Sequence, residues 1–144
     1  MAHKTDKDIY AFKATDYNGW CTPNWGVKKQ YKVGKTYCIY KPGSKQLQDN
    51  IVCCNKGIHC CPNLDDVNNY YSISGAEIYL VKIPKGAIID INNDKIATNK
   101  IQIIRKLNDL EFSIASKNWV RKGNRIFSKM VMDSKTAIEM ILAQ

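Results

Sequence analysis

The stretch AEIYLVKIPKGAIIDI, residues 76–91, constrains the fold of this chain more than any other. Side chains alternate across an extended backbone, so Ile78, Leu80 and Lys82 share one face while Tyr79, Val81 and Ile83 share the other. A Pro84-Lys85-Gly86 turn then leads into AIIDI, and the stretch predicts two connected strands. Three further segments read the same way: IYAFKAT (9–15), YKVGKTYCIY (31–40) entered by a turn at Gly34, and TNKIQIIRKL (98–107). IVCC (51–54) reads as a short buried strand. Between the first two, DYNGWCTPNWGVKK (16–29) is a loop by its Asn18-Gly19, Pro23 and Gly26. Its Trp20 and Trp25 either fold back onto the core or present an aromatic platform, core packing being the favoured reading.

Helical signals are fewer. Leu64, Val67 and Tyr71 fall at i, i+3 and i+7, with Asn63 as N-cap and Asp65 and Asp66 in the first turn, and predict a short helix. Asn108 with Glu111 three positions on forms a capping box that opens a helix through DLEFSIASKN. The tail predicts a hairpin over NWVRKGNRIFSKMVM turning at Lys122-Gly123-Asn124, then a terminal helix over DSKTAIEMILAQ capped by Asp133 or Ser134. The sum is a strand-dominated α+β single domain, an antiparallel or mixed sheet carrying two or three packed helices. Residues 1–115 form its body and 116–144 a basic extension packed on it.

A chain of 144 residues buries roughly two thirds of its unfolded surface, so a core needs neither metal nor disulfide. MAHKTDKDIY lacks an apolar leader, and no apolar stretch approaches the ~18 residues of a membrane span; a cytoplasmic location and no membrane partner are expected. Without a secretory signal, and with two vicinal pairs that bridge poorly, the six cysteines are expected to be reduced and mostly buried. Net charge is +9, of which residues 100–144 hold 9 basic against 4 acidic side chains. Such a field attracts nucleic acid, acidic proteins or polyanionic nucleotides, or simply solvates a face. Lysine outnumbers arginine 19 to 3, and Lys, Ile and Asn make up 50 residues, a bias of A/T-rich codons that weakens arginine-based readout of bases.

CNKGIHCCPNLDDVNNYY (54–71), followed by KIATNKIQIIRKL (95–107), resembles an uncharacterised domain family of bacteriophage and bacterial proteins that often precedes pentapeptide repeats. The likeness covers roughly 8–115 and falls on Cys54, Gly57, His59, Cys61, Val67, Tyr70 and Tyr71, with Ile58 in place of the usual Phe. The resemblance implies phage or prophage ancestry and the cytoplasm of an infected or lysogenic cell, and it brings no catalytic residue. The chain departs from it in having no pentapeptide repeats and in its own basic tail.

CCNKGIHCC (53–61) holds four cysteines and a histidine. Zinc knuckles draw ligand pairs from two separate segments, a spacing absent here; Cys54, His59 and Cys61, with Cys21 or Cys38 as a distant fourth, are the only set able to converge, and no metal is favoured. The preferred reading places His59 beneath the helix, bonded to a backbone carbonyl between buried thiols. A nucleophilic pair of His59 with Cys54 or Cys61, the ring oriented by Asp65 or Asp66, is the catalytic alternative. The element order also resembles mono-ADP-ribosyltransferases, which split a small β-sandwich around NAD, although that fold needs an acid near a late strand and the only glutamates are Glu77, Glu111 and Glu139. In the tail, Trp119, Arg121, Lys122, Arg125 and Lys129, with Phe127, would suit phosphates and stacked bases; a hairpin with buried aromatics and solvated charges is the opposing reading.

The expectation is a small basic binding module that acts by occupancy, with no cofactor. Its partner would be a host or defence protein with an acidic surface, as in anti-defence, or a nucleotide or nucleic acid. An enzyme with a nucleotide cleft or a Cys/His site, and a structural or assembly protein, are the alternatives; the oligomeric state is open.

Overall fold

The computed structural model describes residues 1–21, 29–129 and 134–143. In chain order the strands are β1 (His3–Lys4), β2 (Ile9–Thr15), β3 (Trp20–Cys21), β4 (Lys29–Gln30), β5 (Thr36–Cys38), β6 (Ile58–Cys60), β7 (Glu77–Ile83), β8 (Ile88–Asn92), β9 (Lys95–Thr98) and β10 (Lys100–Lys106), followed by helix α1 (Asp109–Ala115), β11 (Trp119–Lys122), β12 (Arg125–Ser128) and α2 (Ser134–Leu142). The pairings are antiparallel and build two four-stranded sheets, β1-β8-β9-β6 and β2-β7-β10-β5, with β3-β4 and β11-β12 as separate ribbons. The fold is α+β and strand-dominated, as the pattern of the sequence implies.

The predicted faces of β7 explain the layers. Tyr79, Val81 and Ile83 meet Ala11, Ile58, Ile89, Ile96 and Ile103 in a core between the two sheets. Ile78 and Leu80 point the other way, into a second core with Leu64, Val67, Phe112 and Trp119. Two connected strands over 76–91 are present, but they do not form a hairpin. Pro84-Lys85-Gly86 carries the chain from the second sheet into the first, and Gly86 N–H is held there by Thr5 O at 2.9 Å.

A second crossing occurs between β9 and β10, at Asn99. This side chain is 3% exposed and fully bonded: Oδ1 accepts from Ile88 N–H at 3.0 Å, and Nδ2 donates to Gln48 O at 2.9 Å. Its backbone N–H donates to Ile88 O, and its carbonyl accepts from Ile39 N–H. The two crossings and the loop before β6 are thus fastened to one residue.

Several local expectations are revised. Residues 51–54 are a turn rather than a strand, with Val52 bridged to Lys56 and Cys54 at φ 68°; the strand begins later, at Ile58. Of 31–40 only Thr36–Cys38 is strand. The predicted helix near residue 64 is a 3-10 segment, Leu64–Asn69, and the Asn63 side chain makes no capping bond. Strand β9 was not expected; Asn93-Asp94, with Asn93 at φ 55°, turns β8 back into it. The Asn108–Glu111 capping box is present, and so is the hairpin turning through Gly123-Asn124. Trp20 is 39% exposed, not core; Trp25 and Asp133 lie outside the described residues, as does the side chain of Ser134.

Replacing Asn99 by alanine orphans Ile88 N–H and Gln48 C=O, each a cost of about 1–3 kcal/mol, so Asn99→Ala is expected to lose about 2–6 kcal/mol in urea unfolding. A loss under about 1 kcal/mol would show that the crossing does not depend on this side chain.

Candidate functional site

The edge strands of the two sheets meet at one reciprocal backbone pair, Phe12 N–H to Cys61 O and Cys61 N–H to Phe12 O, each 2.8 Å. An antiparallel ladder continuing from there would set Lys13 opposite Cys60 and Ala14 opposite His59. The ladder instead stops, β2 and β6 diverge, and Lys13 Nζ reaches across to donate to His59 O at 2.8 Å. The opening is a cavity of about 810 Å³.

Alternation along β2 places Lys13 on the face of Ala11, turned inward, and leaves it only 8% exposed. Its Nζ lies 5.1 Å from the centroid of the Tyr31 ring. Lys29 Nζ lies 5.6 Å from the same ring and 5.1 Å from that of Tyr37, and these two rings stand edge to face at 4.9 Å. On the far wall Lys95 Nζ sits 4.2 Å from the Tyr70 ring, whose hydroxyl is held by Asp94. Tyr31 comes close because Gly19 lacks a side chain: a Cβ there would stand 2.2 Å from Tyr31 O, and the residue is at φ +78°.

Three lysines, His59, five of the six cysteines and Tyr31, Tyr40, Tyr70 and Tyr71 line the cavity; among the described residues no Asp or Glu does. Burial lowers the Lys13 pKa; the thiols of Cys21, Cys60 and Cys61 act against it, and the nearby charge of Lys95 lowers it further. Lys29 is lowered by burial and by Lys13. Burial raises the Tyr31 hydroxyl. The cleft therefore combines aromatic surface with three lysines, and the carboxylate that Lys95 acts on, Asp94, stands behind the wall on the Tyr70 hydroxyl.

The Cys/His stretch lies on one wall. All six cysteines are free thiols; Cys60 and Cys61 are buried, Cys54 is exposed, and the other three lie between. Cys60 enters the inter-sheet core and Cys61 the second core, so the adjacent pair faces opposite ways. Burial pushes both thiols up to about 12. His59 Nε2 accepts from Cys54 N–H at 2.8 Å, holding the turn in which Cys54 takes its positive φ. Burial, then Lys95 and Lys13, lower the imidazole to about 4, opposed only by a hydrogen bond to the Gly57 backbone. The ring is thus a neutral strut, and its contact with Cys54 is to the backbone rather than the thiol. Among the described residues no three His, Cys, Asp or Glu side chains gather as a metal site. Asp65, expected to orient the ring, instead accepts from Ser116 Oγ at 2.6 Å and Asn118 Nδ2 at 2.7 Å.

The basic tail is tied down. Arg121 is 6% exposed, 4.5 Å from the Phe112 ring, and its guanidinium donates to Asp109 Oδ1, Ala76 O and Leu107 O at 3.1–3.2 Å. Trp119 packs on the second core and Lys129 Nζ donates to Ser116 O. Lys122 and Arg125, at the hairpin turn, remain exposed. Glu77 accepts from Gly19 N–H, Tyr79 and Lys106, and Glu111 belongs to the capping box, so neither acid reaches the cleft. Sequence reasoning missed Lys13, Lys29 and Lys95; the one local signal was a lysine on the inward side of IYAFKAT.

Taken together, the chain is a two-sheet antiparallel module with a lysine- and tyrosine-lined cleft at the seam of its sheets, without a carboxylate among the described lining residues. It belongs to the family described as Domain of unknown function (DUF7666), whose model matches residues 9–115 and so ends with α1. No curated protein and no solved structure matches the chain. No helix among the described residues is long and apolar enough to cross a membrane.

The folded His59 pKa of about 4 lies below its ordinary 6.5, so the unfolded chain takes up the proton first and protonation favours unfolding. The stability contributed by the neutral ring is full above pH 6.5 and is lost as pH falls through about 4. In His59→Gln, which keeps an acceptor for Cys54 N–H, the drop in urea midpoint across this window should be smaller than in the wild type. Equal drops would mean that His59 does not titrate this way.

Proposed function

We propose that the protein binds a small anionic ligand bearing a planar ring, a nucleotide in its simplest form, in the inter-sheet cleft, and acts by occupying it. The observation that carries this is the convergence of Lys13, Lys29 and Lys95 around tyrosine rings with no carboxylate among the described lining residues. Holding charge on the buried Lys13 and the half-buried Lys29 is costly, and a bound phosphate would offset that cost. The cavity volume of about 810 Å³ falls in the range of small-molecule sites. The resemblance of residues 54–71 and 95–107 to phage domains, with the A/T-rich composition, supports a role in a phage-infected or lysogenic cell. A second reading, docking on an acidic host or defence protein, is favoured by a separate patch: Leu110 and Ile114 are 69% and 74% exposed on α1, the helix that packs on the hairpin carrying Lys122 and Arg125.

Calorimetry with AMP, ATP, NAD and a short oligothymidylate tests the first reading. At least one mononucleotide or dinucleotide is expected to bind, more weakly as salt rises. Lys13→Met and Lys29→Met should each weaken binding by about 1.5–3 kcal/mol, roughly tenfold to a hundredfold, as expected for loss of a charge-assisted hydrogen bond. Failure of all four ligands to bind would overturn the cleft reading; binding of the oligothymidylate alone would move the ligand class to nucleic acid.

A further inference from the structure

We infer that Lys13 is a carbonyl-reactive lysine, whose Nζ condenses with the aldehyde carbon of a small phosphorylated ligand held in the inter-sheet cleft. The inference rests on the reading that this cleft takes an anion and adds a covalent step to it. Buried lysines ordinarily pair with a carboxylate or run their amines out to water. Lys13 does neither: it is 8% exposed, its Nζ has the His59 carbonyl at 2.8 Å as its hydrogen-bond partner, and the Tyr31 ring lies beside it.

An amine attacks a carbonyl only when uncharged, and two arrangements favour that state: removal from water and neighbouring positive charge. Both are present: the first, which is the larger, from the sheets on either side of the cleft, and the second from Lys95, with Lys29 at the same Tyr31 ring; the thiols of Cys21, Cys60 and Cys61 act in the opposite sense. The groups that face the amine are the Tyr31 ring, the thiols of Cys21, Cys60 and Cys61, Lys95 and the neutral His59. The bond to His59 O uses one N–H and leaves the nitrogen lone pair available. The like charges that favour the free amine at Lys13 also supply cations for the ligand's phosphate.

The step balances without a redox partner. The Nζ lone pair forms a bond to the aldehyde carbon, the C=O π pair moves to oxygen, and the two amine protons leave with that oxygen as water when the C=N bond forms. Hydrolysis returns amine and aldehyde.

Pyridoxal 5′-phosphate, a phosphorylated aromatic aldehyde, is the probe. The full-length wild-type protein is incubated with an equimolar amount at neutral pH, borohydride reduces the imine to a secondary amine, and labelled peptides are mapped by mass spectrometry. The expected result is label on Lys13 at least tenfold above the average of the other eighteen lysines, and several-fold less on Lys13 when pyridoxal without the phosphate is used. Label spread over exposed lysines with Lys13 unmodified would overturn the inference. Equal labelling by both probes would overturn the phosphorylated class of ligand. Because no variant is needed, a folding defect cannot imitate the negative result. Nucleotide binding in calorimetry without label at Lys13 defeats this inference alone; label at Lys13 without nucleotide binding defeats the nucleotide reading alone.

Discussion

Asn99 holds together the point on which the fold depends, where the chain leaves one sheet and enters the other with a single residue between strands. A strand pair joined by one residue has no turn of its own to supply the lost ladder bonds. Asn99 replaces them with its side-chain amide, serving Ile88 on the first crossing and Gln48 in the loop ahead of β6. A hydrophobic residue of the same volume would leave both partners unpaired inside the protein. This polar group pins the crossing while the apolar core between the sheets holds them face to face.

At the opposite seam the Phe12–Cys61 pair closes the edge strands for one step of ladder, and the next step is missing. The gap is bridged by a side chain, Lys13, where backbone N–H groups would otherwise pair. The open strand edge is lined by Lys13, Lys29 and Lys95. The Cys/His stretch frames this opening: Gly57 packs tightly enough that a Cβ would meet Ala97 Cβ at 3.0 Å, and His59 braces Cys54 in its turn.

The tail shows how a charge pattern is absorbed by structure. Five residues that read as a phosphate-binding row are divided by the hairpin's own packing. Arg121 becomes an internal fork over Phe112, tying α1 through Asp109, and the residues just before β7 and just after β10 through the carbonyls of Ala76 and Leu107, to the hairpin, and Asp65 ties the intervening segment back to the 3-10 turn. A planar guanidinium with five donors satisfies such a buried set as no lysine could.

Much of the fold was legible locally. The faces of β7, the extent of β2, the capping box of α1 and the Gly123 turn all depend on side-chain periodicity or on bonds between near neighbours, which the order of residues encodes directly. The misread turn at 51–54 and the missed β9 are short segments whose state is set by what they meet. Of the site, His59 and its cysteines were visible as a cluster, while Lys13, Lys29 and Lys95 were unremarked lysines in three separate strands. The sequence by itself determined which residues extend, which faces are apolar, and that the chain is basic. Only the tertiary structure decided that β7 and β8 part into different sheets and that three lysines share one cleft. Alternation says that a face must be covered but not by which strand, and charges distant in the chain acquire a common field only once the backbone brings them together.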